Sequence, residues 1–250
     1  MTPPLLLHTP GQIAAFARSG AARGRRCIVI DQLRATSTIV TALAHGARRV
    51  LAVASLEEAR QIKASLPDAL LAGERGGLPP EGFDLGNSPR AFTVERVTGR
   101  DILLTTTNGT LALLACRGAA AIHPLSLLNL AAVADQIAGH PELPLALLCA
   151  GTGEGYALED GLVAAALLAL LSLDPAFESH PAAAPFRAWG VSAALLRRTA
   201  NGRNLVRIGL EEDIAFTARR DHFPIVPEGR IGEVGTGDGT VTAVEITPPS

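Results

Sequence analysis

The sequence has almost no lysine. Lys63 is the single lysine among 22 basic residues, and no block of basic residues stands out in a chain whose formal net charge is −2. Nucleic-acid binding needs a basic surface, so the composition argues against a nucleic-acid partner and favours a small molecule. Anion recognition must rely on arginine side chains and backbone amides. An arginine-favouring codon usage would explain the same composition.

Cysteine is scarce too. Cys27, Cys116 and Cys149 lie far apart in apolar segments, which predicts reduced, buried thiols and a cytoplasmic location rather than disulfides or a zinc site. No cysteine precedes an arginine at the offset of a thiolate phosphatase, and Asp31 has no second aspartate two positions on. The six histidines are not near one another at metal-ligand spacing, so we expect them to be packing or surface residues.

Long hydrophobic runs are missing. The longest, residues 162–173, is too short to span a bilayer, and residues 1–10 lack the pattern of a signal peptide, so we expect neither anchoring nor export. With 250 residues, 48% of them hydrophobic, the chain can bury one large core, which predicts a single domain over residues 1–250. Self-association into a homo-oligomer stays open.

Segments typical of strands and helices alternate along the chain. Residues 27–31 (CIVID) predict a strand buried on both faces, and residues 36–47 carry the start and stop signals of a helix. The same unit recurs as strand 48–54 with helix 56–66, strand 101–105 with helix 110–117, and strand 143–149 with a helix from about 159 to 171. This alternation predicts an α/β fold of three layers, α/β/α, around a mostly parallel sheet.

Three other segments lack this pattern. Residues 73–89 (GERGGLPPEGFDLGNSP) predict a loop of a length that is usually functional or disordered, with Phe83 and Leu85 available for packing. We expect residues 174–188 to form a surface excursion and residues 232–249 to form a glycine-rich turn and a short strand. The tail, residues 228–250, receives no functional assignment.

Polar residues follow the predicted strands at 31–38, 105–110 and 151–160. Ligands of open parallel sheets bind at the carboxyl ends of the strands, so these segments are candidates for the site. Asp31 ends an apolar strand, which favours a metal or substrate role, although a helix cap or a pair with Arg34 explains it equally well. The run TTTNGT suits an oxyanion cradle, but ordinary strand-to-helix junctions use the same residues. Glu159 and Asp160 open a helix. Acidic residues are common there simply because they interact favourably with the positive end of the helix dipole.

The loop at residues 73–89 concentrates charge among glycines. Carboxylate oxygens of the kind that Glu74 and Asp84 offer suit Mg²⁺, and Arg75 could hold an anion beside it. A solvated flexible loop would have a similar composition, but it would rarely be this long between regular α/β units.

These segments, in this order, resemble the 2-phosphosulfolactate phosphatase family over residues 27–227. The segments that carry the resemblance are VIDQLRATSTIVTAL, GERGG, GFDLGNSP, TTNGT, CAGTGEGYALED and NGRNLVRIGLEEDIAF. The resemblance implies a Mg²⁺-dependent hydrolase that converts 2-phospho-3-sulfolactate to sulfolactate and phosphate, on the route to coenzyme M. The positions that match the family pattern are Asp31, Arg34, Thr36, Glu74, Arg75, Asp84, Asn87, Ser88, Thr106, Asn108, Thr110, Glu159 and Asp160.

From these positions we predict roles. The predicted catalytic residues are Asp31, Glu74, Asp84 and Asp160, with Asp31 and either Glu74 or Asp84 holding Mg²⁺. The predicted substrate-binding residues are Arg34, Thr36, Arg75, Asn87, Ser88, Thr106, Asn108, Thr110 and Gly153. Two mechanisms stay open: attack on the phosphate by water, and attack by Asp31 itself to give a phospho-aspartate. The alternative function is a non-catalytic sensor or binding protein for a phosphorylated or sulfonated metabolite, which would not need carboxylates that repel an anion.

Overall fold

Nine strands form one mixed sheet in the computed structural model, which describes residues 3–237 and 239–249. Their order in the sheet is β1-β7-β2-β6-β8-β9-β3-β5-β4. The strands are β1 (Leu5–Leu7), β2 (Arg26–Ile30), β3 (Arg49–Ala52), β4 (Leu70–Gly73), β5 (Asp101–Thr105), β6 (Ala121–Leu125), β7 (Leu145–Cys149), β8 (Glu228–Thr236) and β9 (Gly239–Thr247).

Helices connect most of these strands and also fill the segment between β7 and β8. Some of them start at a side-chain cap: Ser55 and Glu58, for example, form a capping box at the start of the helix that follows β3. The helices are α1 (Pro10–Ser19), α2 (Ala35–Ala44), α3 (Leu56–Ser65), α4 (Val94–Val97), α5 (Gly109–Leu114), α6 (Leu130–Gly139), α7 (Leu158–Leu170), α8 (Asp174–Ser179), α9 (Ala183–Trp189), α10 (Ala193–Leu196), α11 (Ala200–Arg207) and α12 (Glu211–Thr217). None of the helices in the described ranges combines the length and hydrophobicity needed to cross a bilayer.

The sheet departs from the prediction because an antiparallel hairpin, β8–β9, lies in its middle. The strands β1, β7, β2 and β6 are mutually parallel, and so are β3, β5 and β4. Each of the three pairings from β6 through β8 and β9 to β3 is antiparallel. The two parallel groups therefore run in opposite directions, and the chain is a single-domain α/β protein with a mixed sheet.

The hairpin also corrects the reading of the C-terminal tail. The short strand expected within residues 232–249 is the longer strand β9, and residues that received no assignment form the centre of the sheet. The pattern hid β8 because glycines and exposed charged residues interrupt its apolar positions. Met1, Thr2, Asp238 and Ser250, which fall in the predicted N-terminal segment and C-terminal tail, lie outside the described residues.

Sheet twist explains how loops from both parallel groups reach one site. Because the two parallel groups run in opposite directions, the carboxyl end of β2 in a flat sheet would point the opposite way from the carboxyl end of β5. Neighbouring strands twist by roughly 20–25°, so the five pairings between β2 and β5 turn the strand direction by roughly 100°. Residues of β2, β5 and α5 also share one hydrophobic cluster, which includes Val29, Leu104 and Leu113. The following loops can therefore meet.

Strand β2 is buried on both faces, as predicted. Cys27 and Val29 belong to one hydrophobic cluster, whereas Ile28 and Ile30 belong to another. Cys27, Cys116 and Cys149 are free and buried, which confirms the prediction of reduced thiols. A third, smaller cluster contains Leu51 and Leu103.

Most predicted helices exist with small shifts at their ends, but the segment at residues 174–188 is not merely a surface excursion. It forms α8 and most of α9, and Phe177 packs into the cluster that contains Ile28 and Ile30. The predicted loop is confirmed between the end of β4 and a short 3₁₀ helix, Pro89–Ala91. Leu85 anchors this loop in the core, and Phe83 packs against the smaller cluster.

Candidate active site

A cavity of about 310 Å³ lies where the loops after β2, β4, β5 and β7 meet α11. Its lining combines acidic, amide and glycine residues. The lining residues are Asp31, Leu33, Arg34, Glu74, Gly76, Gly77, Asn87, Thr107, Asn108, Gly151, Thr152, Gly153, Ala200, Asn201, Asn204 and Leu205.

Asp31 stands at the end of β2 with its carboxylate in this cavity. Its Oδ1 accepts a hydrogen bond from Ala35 N at 3.2 Å, so the side chain does cap α2, one of the two structural explanations considered. Its Oδ2 lies so close to α5 that a Cβ on Gly109 would approach it to 2.5 Å. The TTTNGT segment therefore needs glycine at this position for the loop to reach the carboxylate.

Asp31 belongs to an acidic cluster that also contains Glu74, Glu159 and Asp160. Burial raises the pKa of Asp31 to about 7, and the nearby charges of Glu74 and Glu159 add to the rise. Burial also raises the pKa of Glu159 and, together with the charge of Asp31, that of Asp160. Groups with such shifts at the wall of a cavity are typical of active sites.

Asp160 lies behind the cavity and joins two of its loops. Its carboxylate accepts hydrogen bonds from Gln32 N at 2.9 Å and from Gly151 N at 3.0 Å. Asp160 is therefore more than a favourable charge at the start of α7, because it fixes the loop after β2 against the loop after β7. Glu159 is also buried, and its Oε1 has no hydrogen-bond partner among the described residues.

Glu74 organises the long loop after β4. Its Oε2 accepts a hydrogen bond from Gly77 N at 2.8 Å, and its Oε1 accepts from Thr107 N at 2.8 Å and Thr107 Oγ1 at 2.9 Å. One carboxylate thus closes its own loop and ties that loop to the segment after β5. These bonds also fix where the carboxylate stands at the cavity wall.

Arg34 is held by a buried ion pair that the sequence did not reveal. Its Nη1 lies 2.7 Å from Asp213 Oδ2, and its Nη2 donates to Gly77 O at 2.6 Å. Ser88 Oγ donates to the other oxygen of Asp213 at 2.6 Å. Asp213 therefore connects α12 to a cavity arginine and to the end of the long loop.

Two asparagines complete the polar wall. Asn108 Nδ2 donates to Gly151 O at 2.9 Å and to Gly153 O at 3.2 Å, which joins the loops after β5 and β7. Asn87 lines the cavity and is buried, yet its Oδ1 has no partner among the described residues. A buried amide oxygen without a donor is rare, which marks Asn87 as a position for a ligand.

The structure brings some predicted residues to the cavity and leaves others outside it. Asp84 is exposed, and its carboxylate accepts from Leu71 N and lies 4.0 Å from Lys63 Nζ. Arg75 is also exposed, and its guanidinium donates hydrogen bonds to Thr105 Oγ1 and Glu74 O. Neither side chain lines the cavity.

The predicted hydroxyl residues act within the scaffold. Thr36 Oγ1 donates to Leu125 O at 2.7 Å, which ties α2 to the end of β6. Thr106 and Thr110 bond to each other's backbone amides through their hydroxyls. All three are buried and lie outside the cavity lining, so the structure gives them positions beneath the site rather than in it.

Other cavity residues were not among the predicted ones. Asn201 and Asn204 reach the cavity from α11, and Thr107 reaches it from the segment after β5. Asn201, Asn204 and Asp213 all fall within the segment NGRNLVRIGLEEDIAF, whose likeness to the family was the one available signal. Without that likeness, they are polar residues of short helices far from the other loops.

The fold and the cavity together define an α/β enzyme with acidic and amide side chains around a small-molecule site. A family model described as 2-phosphosulpholactate phosphatase matches residues 13–231. The chain therefore belongs to the 2-phosphosulpholactate phosphatase family, whose members are phosphoric monoester hydrolases.

Curated relatives agree with this membership, and several are named "Probable 2-phosphosulfolactate phosphatase". The relative from Symbiobacterium thermophilum is 42% identical over 219 residues, which cover 84% of this chain and 94% of the relative. One from a Synechococcus species is 41% identical over 231 residues, covering 88% and 93%. One from Thermotoga petrophila is 38% identical over 205 residues, covering 81% and 88%.

Proposed function

We propose that this protein hydrolyses 2-phospho-3-sulfolactate to sulfolactate and phosphate with the help of Mg²⁺. The observation that carries the proposal is the cavity in which Asp31, with its raised pKa, and Arg34 lie together. The family and the printed names of the relatives support the substrate. A cavity of about 310 Å³ is suited to a small phosphorylated acid.

The charge of the cavity supports a need for a cation. Among its lining residues, Arg34 is the only basic one, and Asp213 already pairs with it. Asp31 and Glu74 add negative charge to the same wall. A substrate with phosphate, sulfonate and carboxylate groups would be repelled unless a cation intervened.

The residues present fit Mg²⁺. Asp31 and Glu74 offer carboxylate oxygens, and Asn87 offers an amide oxygen that has no other partner, which are the hard donors that Mg²⁺ prefers. We propose these three as the residues that would hold the ion, and we leave out Asp84 because its carboxylate faces Leu71 N and Lys63. When bound, Mg²⁺ would neutralise phosphate oxygens and act as a Lewis acid.

The chain's own residues would orient the water and handle the remaining charge. The pKa of about 7 that burial gives Asp31 applies to the metal-free cavity; with the ion held, Asp31 would remain a carboxylate and would orient an attacking water through a hydrogen bond. Arg34, fixed by Asp213, would orient an anionic group of the substrate. The backbone amides near Asn108 and Gly153 would stabilise phosphoryl oxygens in the transition state.

Two broader expectations complete the proposal. We propose that helices cover both faces of the sheet in three layers, because alternate residues of β2 enter different hydrophobic clusters. We also propose a cytoplasmic location, because all three cysteines are free and buried.

The test is phosphate release from racemic 2-phospho-3-sulfolactate and from phospholactate, each with Mg²⁺ and with chelator. We expect Mg²⁺-dependent release that favours the sulfonate, near-complete loss in Asp31→Asn, and retention in Asp101→Asn, a matched change of a buried aspartate outside the cavity. Release from phospholactate alone would contradict the substrate. Tight binding without release would support the binding-protein alternative, and a phosphorylated Asp31 in mass spectra would replace water attack by attack of Asp31.

A further inference from the structure

Three potential metal ligands meet at one end of the sheet, outside the cavity lining. One ligand atom from each of His8, Cys149 and His180 lies within 4.8 Å of the other two. His8 directly follows β1 and Cys149 ends β7, and these two strands pair in parallel with Leu7 opposite Leu148. His180 follows α8, so three separate segments supply the cluster.

One nitrogen of each imidazole in this cluster is buried without a partner among the described residues. His8 Nδ1 and His180 Nε2 have no hydrogen bond to any described residue, although His180 is only 3% exposed. The Tyr156 hydroxyl, from the loop after β7, is in the same state, and its ring lies 6.2 Å from that of His8. A buried polar atom without a hydrogen-bond partner is unfavourable, so two such nitrogens at one place call for a ligand.

We propose that His8, Cys149 and His180 form a site for a soft divalent metal ion, with Zn²⁺ as the natural occupant. Two imidazoles and one thiolate are donors that Zn²⁺ prefers, whereas Mg²⁺ prefers the oxygens of the cavity. Such an ion would hold β1, β7 and α8 together.

The distances are compatible with coordination after small side-chain movements. Zn–N and Zn–S bonds of roughly 2.0–2.3 Å place tetrahedral ligand atoms roughly 3.3–3.8 Å apart. The present separations, within 4.8 Å, exceed these values by about 1.5 Å or less, so the three side chains must move closer together when the ion binds.

Proton release must accompany metal binding at this cluster. Burial lowers the pKa of His180 to about 4 and lowers that of His8, so both imidazoles are neutral at pH 7. Burial raises the pKa of the Cys149 thiol, so the ion must displace the thiol proton to the solvent. His180 Nδ1 now accepts a hydrogen bond from Ala182 N, and coordination through Nε2 would break it.

The experiment uses the untagged full chain, stripped of metal and titrated with Co²⁺ and then Zn²⁺. We expect about one Co²⁺ per chain to produce a thiolate-to-cobalt charge-transfer band, which Zn²⁺ abolishes and Mg²⁺ does not. Zn²⁺ should also raise the Tm of unfolding. Ions that bind only the carboxylates of the cavity give no such band, so the result is independent of phosphatase activity.

Variants decide which residues hold the ion. Cys149→Ser should abolish the band, and His8→Ala should weaken Zn²⁺ binding by about tenfold or more. Cys116→Ser and His45→Ala are matched controls at a buried thiol and a partly buried imidazole elsewhere, and they should keep full binding. If Cys149→Ser does not fold, His8→Ala still tests the site because His8 is only partly buried. Absence of the band in the parent chain, or its persistence in His8→Ala with unchanged affinity, would overturn the proposal.

Discussion

Two buried aspartates, Asp31 and Asp101, stand in opposite electrostatic settings. Asp101 opens β5 and lies between two arginines, 2.6 Å from Arg48 Nε and 3.0 Å from Arg49 Nη2, which lower its pKa. Asp31 follows β2 among other acids, and burial with those charges raises its pKa to about 7. Both carboxyl groups are largely out of water.

The difference separates stability from function. At Asp101, the fold supplies positive partners that stabilise a buried carboxylate. At Asp31, the fold accepts an unfavourable charge, and the nearest arginine is paired with Asp213 instead. In the proposed function, a cation would offset this cost and allow an anionic substrate to bind.

The sharpest way to separate the two residues is Asp31→Asn. We expect phosphatase activity to fall by about 10³-fold because the carboxylate that would hold the ion and orient the water is lost, while the free energy of unfolding of the metal-free chain rises because a costly charge is removed. Steady-state kinetics and denaturant unfolding measure the two effects. An active Asp31→Asn enzyme would show that the Asp31 carboxylate has no catalytic use.

The second prediction concerns the ion pair at the cavity. Asp213→Asn should raise KM by about tenfold or more with a smaller change in kcat, because Arg34 loses the partner that fixes it. The loss of a buried partner should also lower stability by about 3 kcal/mol. Ser88→Ala removes only the second hydrogen bond to Asp213 and should have a weaker effect on KM. Equal changes in KM for both variants would argue against positioning by charge.

The pH dependence of stability should have opposite signs at the two aspartates. The folded pKa of Asp31 lies above its ordinary value of 3.8, so its contribution to stability is present at acid pH and is lost as the pH rises towards 7. Without divalent metal, this one group should lower the free energy of unfolding by about 2 kcal/mol between about pH 5 and 6.5. The contribution of Asp101, whose pKa is lowered, is lost only as the pH falls through its folded pKa, below 3.8.

Urea titrations of the parent chain and Asp31→Asn across this pH range measure the difference. The gap between the two proteins should widen from pH 5 to pH 6.5 and then level off above pH 7. A gap that does not change with pH would mean that Asp31 titrates alike in the folded and unfolded chains.

Asp101→Asn should behave in the reverse manner to Asp31→Asn. We expect unchanged kcat/KM and a loss of stability of about 1–2 kcal/mol, because both arginines remain partly in water after their partner is removed. The Tm and the kinetic constants are the measurements. A drop in activity without a loss of stability would contradict this prediction and would mean that Asp101 affects the geometry of the cavity.

The smallest effect is expected for Asp84→Asn. Asp84 carries the same kind of side chain that the sequence grouped with Asp31, but it is exposed on the outer side of its loop. We expect activity within about twofold of the parent and a stability change below about 1 kcal/mol. A loss comparable to that of Asp31→Asn would show that the loop moves Asp84 into the site during catalysis.

Local pattern was sufficient for a large part of the fold. The apolar run of β2, the helix signals of α2 and α3, and the glycine-rich loop before Pro89 follow from side-chain period, capping residues and turn residues. The same information singled out Asp31, Glu74, Asn108 and Gly153, all of which line the cavity, because polar residues and glycines at strand ends are local features.

Local pattern could not give the order of the strands. The hairpin β8–β9 reads as a weak, glycine-rich tail, yet it forms the centre of the sheet and reverses one parallel group relative to the other. Strand order depends on contacts between distant segments, and a period of two or 3.6 residues carries no information about which segment is the neighbour.

The sequence by itself determined many of the strands, helices and loops, such as β2, α2 and the loop after β4, and it showed which loops carry acids, amides and glycines. Only the tertiary structure decided that Arg34 pairs with Asp213, that Asp84 lies outside the cavity that Asp31 lines, and that His8, Cys149 and His180 meet. The physical reason is that secondary structure follows from neighbouring residues, whereas pairs and clusters of distant residues depend on how the sheet orders and twists its strands.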